Sequence, residues 1–243
     1  MKNPNLYVLL LVLLMVPQAL TAQDSGFEAS AAALSHYMWR GLRLSENGVL
    51  QPSMTVSNKG FSLNLWANYQ FDPHRWSEAD FTASYATEKD KYRYEVGYIH
   101  YGVLNGPDSD EIFTGVSHTD AFHPSLQIYN DVNYGKGTYI QVGLEPSIPL
   151  GKKAAWTFKA HAGYVLKNSY MGTNDAGKEF SNFYSADFQT TLTLPLGKHL
   201  TLDPMLGYST SLSRNARQAI KGSSVAPHGE TLYGGATLTL SLN

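Results

Sequence analysis

Eight carboxylates spread along the chain are the residues best placed to do chemistry: Glu78, Asp80, Glu95, Glu111, Asp131, Glu145, Asp187 and Asp203. Each lies in a stretch where polar and apolar residues alternate, and each falls on the polar side. Side chains of an extended strand point to opposite faces in turn, so these acids share one face of the sheet that the stretches build. Arg93 and Lys159 are the opposing charges on that face, with His161 able to join them at lower pH. Carboxylates gathered around a narrow passage with few counter-charges favour cations. The same acids could instead be filling, paired with Arg93, Lys159 and tyrosine hydroxyls. Trp66, Tyr129, Tyr139 and Tyr233 share the polar side, as stacking partners for a flat or sugar-like solute or as bulk.

Other chemistries are weaker. His123-Pro124-Ser125 is the only His-x-Ser in the sequence, the spacing a membrane-embedded lipid hydrolase would use, but Pro124 removes a ladder donor where it falls. His118, Asp120 and His123 match no compact metal motif and read as a solvated turn. The chain has no cysteine, which removes disulfides, thiolate metal sites and a cysteine nucleophile. No metal and no cofactor is expected, and neither is catalysis.

The elements that must position these residues show in "FSLNLWANYQFD", where Phe61, Leu63, Leu65, Ala67, Tyr69 and Phe71 fall on one side and Ser62, Asn64, Trp66, Asn68 and Gln70 on the other. Similar alternation predicts twelve strands, near 27–38, 49–57, 61–71, 78–87, 92–101, 111–117, 124–131, 138–148, 154–165, 183–194, 200–208 and 231–242. Short turns such as "SNKG", "TEKDK", "LGKK" and "PLGKH" alternate with longer loops at 39–48, 102–110, 166–182 and 209–230. That rhythm is the mark of an all-β, up-and-down antiparallel membrane barrel with both termini on the short-turn side. Aromatic residues cluster at both ends of the strands, as interfacial girdles do. The apolar faces are therefore expected to meet lipid. No segment shows a helical period with caps, and the loops 166–182 and 209–230 read as polar and mobile, open to adhesion or surface binding.

Lys2, an apolar run "LYVLLLVLLMV", Pro17 and "ALTAQ" read as an export signal over residues 1–22, cleaved after Ala22, which leaves residues 23–243 as the barrel domain. A net charge of −2 with no basic run excludes nucleic acid as a partner. Such a barrel belongs in the bacterial outer membrane, with lipid, lipopolysaccharide and the barrel assembly machinery as partners.

The segment with Tyr37, Trp39, Arg40 and Gly41, followed by Gly60, Phe61, Trp66 and Ala67, resembles the start of the Gcw-chp family of bacterial outer-membrane proteins, whose function is unassigned. "SLQIYNDVNYGKGTYIQVGL" is similar to that family's middle hairpin. The resemblance implies a β-barrel and carries no catalytic residues. The finish on Leu242 and Asn243 departs from the aromatic end usual in outer-membrane barrels. Arg40 and Arg43 follow the first predicted strand and are expected either at the outer rim against lipopolysaccharide or, for Arg40, packed on Trp39 to order the first loop. Taken together, the residues predict a narrow passive pore or solute-binding channel with an acidic, cation-favouring lumen, its solute undefined. A structural or surface-binding barrel without conductance is the alternative, and a lipid hydrolase a more remote one.

Overall fold

The computed structural model describes residues 25–242 except 105, 152, 153, 175, 176, 226 and 227, so the export signal read at residues 1–22 lies outside the described residues. Twelve strands form the wall: β1 Ser25–Leu34, β2 Val49–Asn58, β3 Phe61–Gln70, β4 Arg75–Lys89, β5 Tyr92–Val103, β6 Ser109–His118, β7 Ser125–Asp131, β8 Thr138–Leu144, β9 Ala155–Leu166, β10 Ser181–Pro195, β11 Leu200–Ser211 and β12 Glu230–Leu242. Each pairs antiparallel with its sequence neighbours, and β1 pairs with β12. The up-and-down membrane barrel expected from the alternation is the fold observed.

Alternation dictates the two surfaces. In register, Phe61 faces Tyr85, Leu63 faces Ala83 and Leu65 faces Phe81, all on the outside. The intervening Ser62, Asn64 and Trp66 pair with Ser84, Thr82 and Asp80 on the inside. Val96, Ile112, Val142, Phe188, Leu206 and Leu238 continue the exposed apolar belt around the ring. A water-soluble monomer does not expose a patch of that extent, because contiguous apolar areas beyond a few hundred Å² drive association. Rings gather at both ends of the belt. Phe61 packs on Tyr85 with centroids 4.7 Å apart and Trp156 on Phe158 at 4.9 Å near the short turns, while Tyr69 meets Trp76 at 5.3 Å near the loops.

Two-residue turns fix the register at the short-turn end. Lys59 and Gly60 both take positive φ, 48° and 86°, the backbone that matches strand twist in a tight hairpin. Strand β8 is broken after Leu144, and Ser147–Pro149 resumes pairing with β9, which accounts for the longer strand predicted there.

Three expectations need correction. The first strand, predicted over 27–38, ends at Leu34, because the chain then turns into the barrel as a short hairpin of Met38–Trp39 and Leu42–Arg43. A helix, α1, Arg214–Ser223, occupies the loop 209–230, where no helix was expected. Its signals are present: Ser213 caps it by accepting a 3.0 Å hydrogen bond from the Ala216 amide, and Ala216, Ala219 and Ile220 form one buried stripe. The loop 166–182 is likewise ordered, with Met171 and Phe180 buried against that stripe.

Replacing Leu65 by Arg should cost roughly 2–4 kcal/mol of barrel stability, since it places a charge near the middle of the lipid face. Thr82→Arg, on the lumen side of the neighbouring strand, should cost much less. Urea unfolding in lipid vesicles separates the two, and equal losses would mean the faces are assigned the wrong way round.

Candidate functional site

The first loop crosses the interior at the long-loop end. Its tip is Arg40-Gly41, with φ of 49° and 85°. Glycine takes that geometry freely, and here it has a second duty. A Cβ on Gly41 would sit 2.5 Å from the Ser185 Cβ, so the tip lies against β10 with no room for a side chain. Arg40, beside it, reaches the opposite wall.

The Arg40 guanidinium makes a bidentate pair with Glu111 of β6, at 2.6 and 2.8 Å. Both side chains are buried, at 8% and 1% exposure. Tyr101 of β5 donates to the same carboxylate at 2.9 Å. Three rings surround the guanidinium carbon, Tyr129 at 4.2 Å, Tyr139 at 4.6 Å and Trp39 at 4.8 Å. Burial opposes the charge on Arg40, but its interactions with Tyr101 and Glu111 outweigh that and raise its pKa. The planar fork suits a carboxylate and ring faces together, which an ammonium group would not.

The rest of the loop spreads over other strands. Tyr37 stacks on Trp66 of β3 at 5.4 Å, and Trp39 meets Tyr101 edge-on at 5.8 Å. The Tyr37 amide donates to Ser45 Oγ at 2.7 Å. Leu42 joins Met171, Phe180, Tyr184 and the α1 stripe in one buried cluster, and the Val225 amide donates to the Arg43 carbonyl at 3.0 Å. The four motif residues Tyr37, Trp39, Arg40 and Gly41 therefore build one device, an inward plug. Arg40 at an outer rim, one of the two placements expected, is corrected: it is inside, on Trp39 as the other placement had it, with Glu111 as a partner the sequence had not indicated. Arg43 holds the loop itself, donating from Nε to the Ser45 carbonyl at 3.0 Å.

The expected lumen residues lie on the inner face, but their roles differ. Tyr139 is sealed beneath the plug rather than lining a passage; it packs directly over Gly163, where any side chain would collide with its ring. Asp131 is spent on its own turn, accepting from Ser109 Oγ at 2.8 Å and from the Gly135 amide at 2.9 Å. Glu145 pairs with Lys159 at 3.1 Å. Arg93 lies at the short-turn rim, 3.9 Å from Glu88, with both half-exposed or more. Asp187 stands opposite His161 in register and accepts from Ser185 Oγ at 3.0 Å, while Asp203 accepts from Thr201 Oγ1 at 3.0 Å. Glu78 and Asp80 share the β4 inner face with Trp66 opposite, and Glu95 lies beside Arg93 in a small recess. Among the described ion pairs, none involves Glu78, Asp80, Glu95, Asp187 or Asp203. Beneath the plug, Arg40, Lys159, His161 and Asp187 border a polar cavity of about 150 Å³.

The remaining motifs do not converge. His123 takes a left-handed turn, φ 43°, outside the strands, while Ser125 is on the inner face in register with Ser117. His118 bonds Asp120 within its own turn at 3.2 Å. Among the described residues no group of His, Asp or Glu side chains could hold a metal ion.

The chain is thus a closed twelve-strand, up-and-down antiparallel membrane barrel with an apolar belt and an inward-folded first loop. The chain superposes on a KdgM porin solved in complex with disordered oligogalacturonate, with a TM-score of 0.56, 12% identity, and 90% of this chain and 99% of that one covered. A NanC porin follows at 0.54 and 10%, covering 89% and 99%, and LpxR from Salmonella typhimurium at 0.53 and 9%, covering 88% and 99%. No protein-family model and no curated sequence matches the chain.

Arg40→Met should destabilise the barrel by roughly 3–5 kcal/mol, because it strands the Glu111 charge in a dry site. Arg40→Met combined with Glu111→Gln should recover much of that loss. Tryptophan-monitored unfolding of the four proteins in the cycle gives the coupling, and strictly additive losses would show that the pair does not act as a unit.

Proposed function

We propose that the chain is a channel of the bacterial outer membrane, exported by a cleaved signal, with its long loops outside and its mouth narrowed by the first loop, and that its lumen favours cations. The observation that carries this is charge accounting on the inner face. Arg40 is committed to Glu111 and Lys159 to Glu145, and Arg93 sits by Glu88, whereas Glu78, Asp80, Glu95, Asp187 and Asp203 have no cationic partner among the described ion pairs. Low-dielectric walls focus along the lumen the field of whichever of these groups are ionised. The oligogalacturonate of the KdgM complex is a polyanion, and these carboxylates speak against carrying that ligand over.

A second reading, a surface-binding barrel without conductance, draws support from the depth at which Leu42 and α1 pack over the mouth. Catalysis at His123-Pro124-Ser125 has no such support, since no hydrogen bond joins Ser125 to a histidine among the described residues, and Ser125→Ala should leave every property unchanged.

Planar-bilayer recording of the refolded protein decides between pore and plug. Small single-channel steps are expected, with cations preferred most clearly near 0.01 M salt, where the Debye length is about 30 Å. Glu95→Gln with Asp203→Asn should weaken that preference, and Arg40→Ala should enlarge the steps by loosening the plug. A wild-type channel without ion preference would overturn the acidic-lumen reading; no conductance in wild type or Arg40→Ala would favour the surface-binding barrel.

A further inference from the structure

Between the first loop and the wall of β3 to β6 lies a cavity of about 240 Å³, near the outer mouth. It is below the about 300–1,000 Å³ of drug-sized sites, so an occupant would be small. Tyr37 and Trp39 of the loop, Tyr101 of β5 and Tyr170 of the loop after β9 contribute four rings to its lining, with Leu44 adding an aliphatic side. Glu78 is the carboxylate in that lining without a cation. Glu111 also borders the cavity but is occupied by Arg40 and Tyr101, and Asp131 by its own turn. Tyr37, which lines the cavity with Glu78, is neutral and supplies no counter-charge to that carboxyl group. Two residues along the same face, the buried Oδ1 of Asp80 has no hydrogen-bond partner.

We infer that this cavity is a binding site for a small organic cation, an ammonium head on a compact apolar body, held by Glu78 and the rings of Tyr37, Trp39, Tyr101 and Tyr170. A cluster of rings attracts an ammonium group through its quadrupoles, and more strongly away from water. A bare metal ion would need six or more oxygen ligands, and this mostly aromatic and aliphatic lining does not provide them. The same lining suits an alkyl or aryl body better than a sugar, whose hydroxyls each require a partner. The loop geometry already in place supplies the site without rearrangement: the Arg40–Glu111 pair fixes Trp39, and the Tyr170 hydroxyl is tied to the Pro107 carbonyl at 2.7 Å.

This inference goes beyond the pore reading, since binding needs the folded mouth and not conduction, and it is tested without a current. The folded protein in detergent micelles is titrated calorimetrically with benzylammonium chloride, with benzyl alcohol and sodium benzoate as neutral and anionic counterparts, each against empty micelles. Saturable one-to-one binding of benzylammonium is expected, about tenfold or more tighter than either counterpart, a difference of about one decade in Kd. Glu78→Gln should remove most of that advantage. Tyr170→Leu, on the outer side of the cavity, should weaken benzylammonium several-fold and serves as the deciding variant if Glu78→Gln does not fold. Absence of saturable binding, equal affinity for benzyl alcohol, or unchanged affinity in Tyr170→Leu and in a folded Glu78→Gln overturns the assignment.

Discussion

A backbone amide facing hydrocarbon has no water to bond, so each strand in a membrane must find both of its neighbours within the protein. The pairing of Thr138 with Leu166 through Leu144 with Ala160 closes the ring, and it removes the two open edges that the other eleven pairings would leave. Everything else follows from that closure. Extended strands point successive side chains to opposite faces, so in the closed ring they alternate between lipid and a confined interior whose charges need partners there. The outside can be predominantly apolar only because no unpaired polar backbone shows there.

Filling the interior falls to the loops at one end. A ring of twelve strands is wider than its inward side chains fill unaided, and wider barrels leave lumens for water, ligands or plugs. Here the first loop enters with one cation, and the wall meets it with Glu111, Tyr101, Tyr129 and Tyr139, from four consecutive strands. A buried charge of either sign alone would be costly, so each partner makes the other tolerable. The pair also specifies position: with Gly41 against Ser185 on one side and Arg40 on Glu111 at the other, the loop has little freedom to slide.

The wall was legible from Phe61-to-Phe71-type alternation, because period two is a local property that each strand writes into its own residues. Turn positions were legible for the same reason, as at Lys59-Gly60. The interior of the mouth was not. Nothing local distinguishes Arg40 at a rim from Arg40 in a plug, since the difference is Glu111, seventy-one residues away. Likewise Asp131 reads as one more lumen carboxylate until its own turn is seen to close on it. The helix α1 had a cap at Ser213 and a stripe at Ala216, Ala219 and Ile220, but two of its three buried residues are alanines, too small to stand out as an apolar period. Alternation gave the faces; partners came only with the tertiary structure.

Those partners change what the carboxylate count means. Eight acids are assigned to the inner face, yet only those left after pairing could act on anything that enters. Glu111 and Asp131 are the most buried of the acids, and both are internally satisfied. Those without a cationic partner divide into Glu78 and Asp80 on β4, Asp187 in the cavity beneath the plug, and Glu95 and Asp203 elsewhere on the inner face. A cation arriving from the long-loop side would meet the aromatic cavity and Glu78 before the remaining carboxylates. The plug thus does more than narrow the mouth: by committing its only buried guanidinium to Glu111, it leaves Glu78 without a protein counter-charge in a space lined by rings.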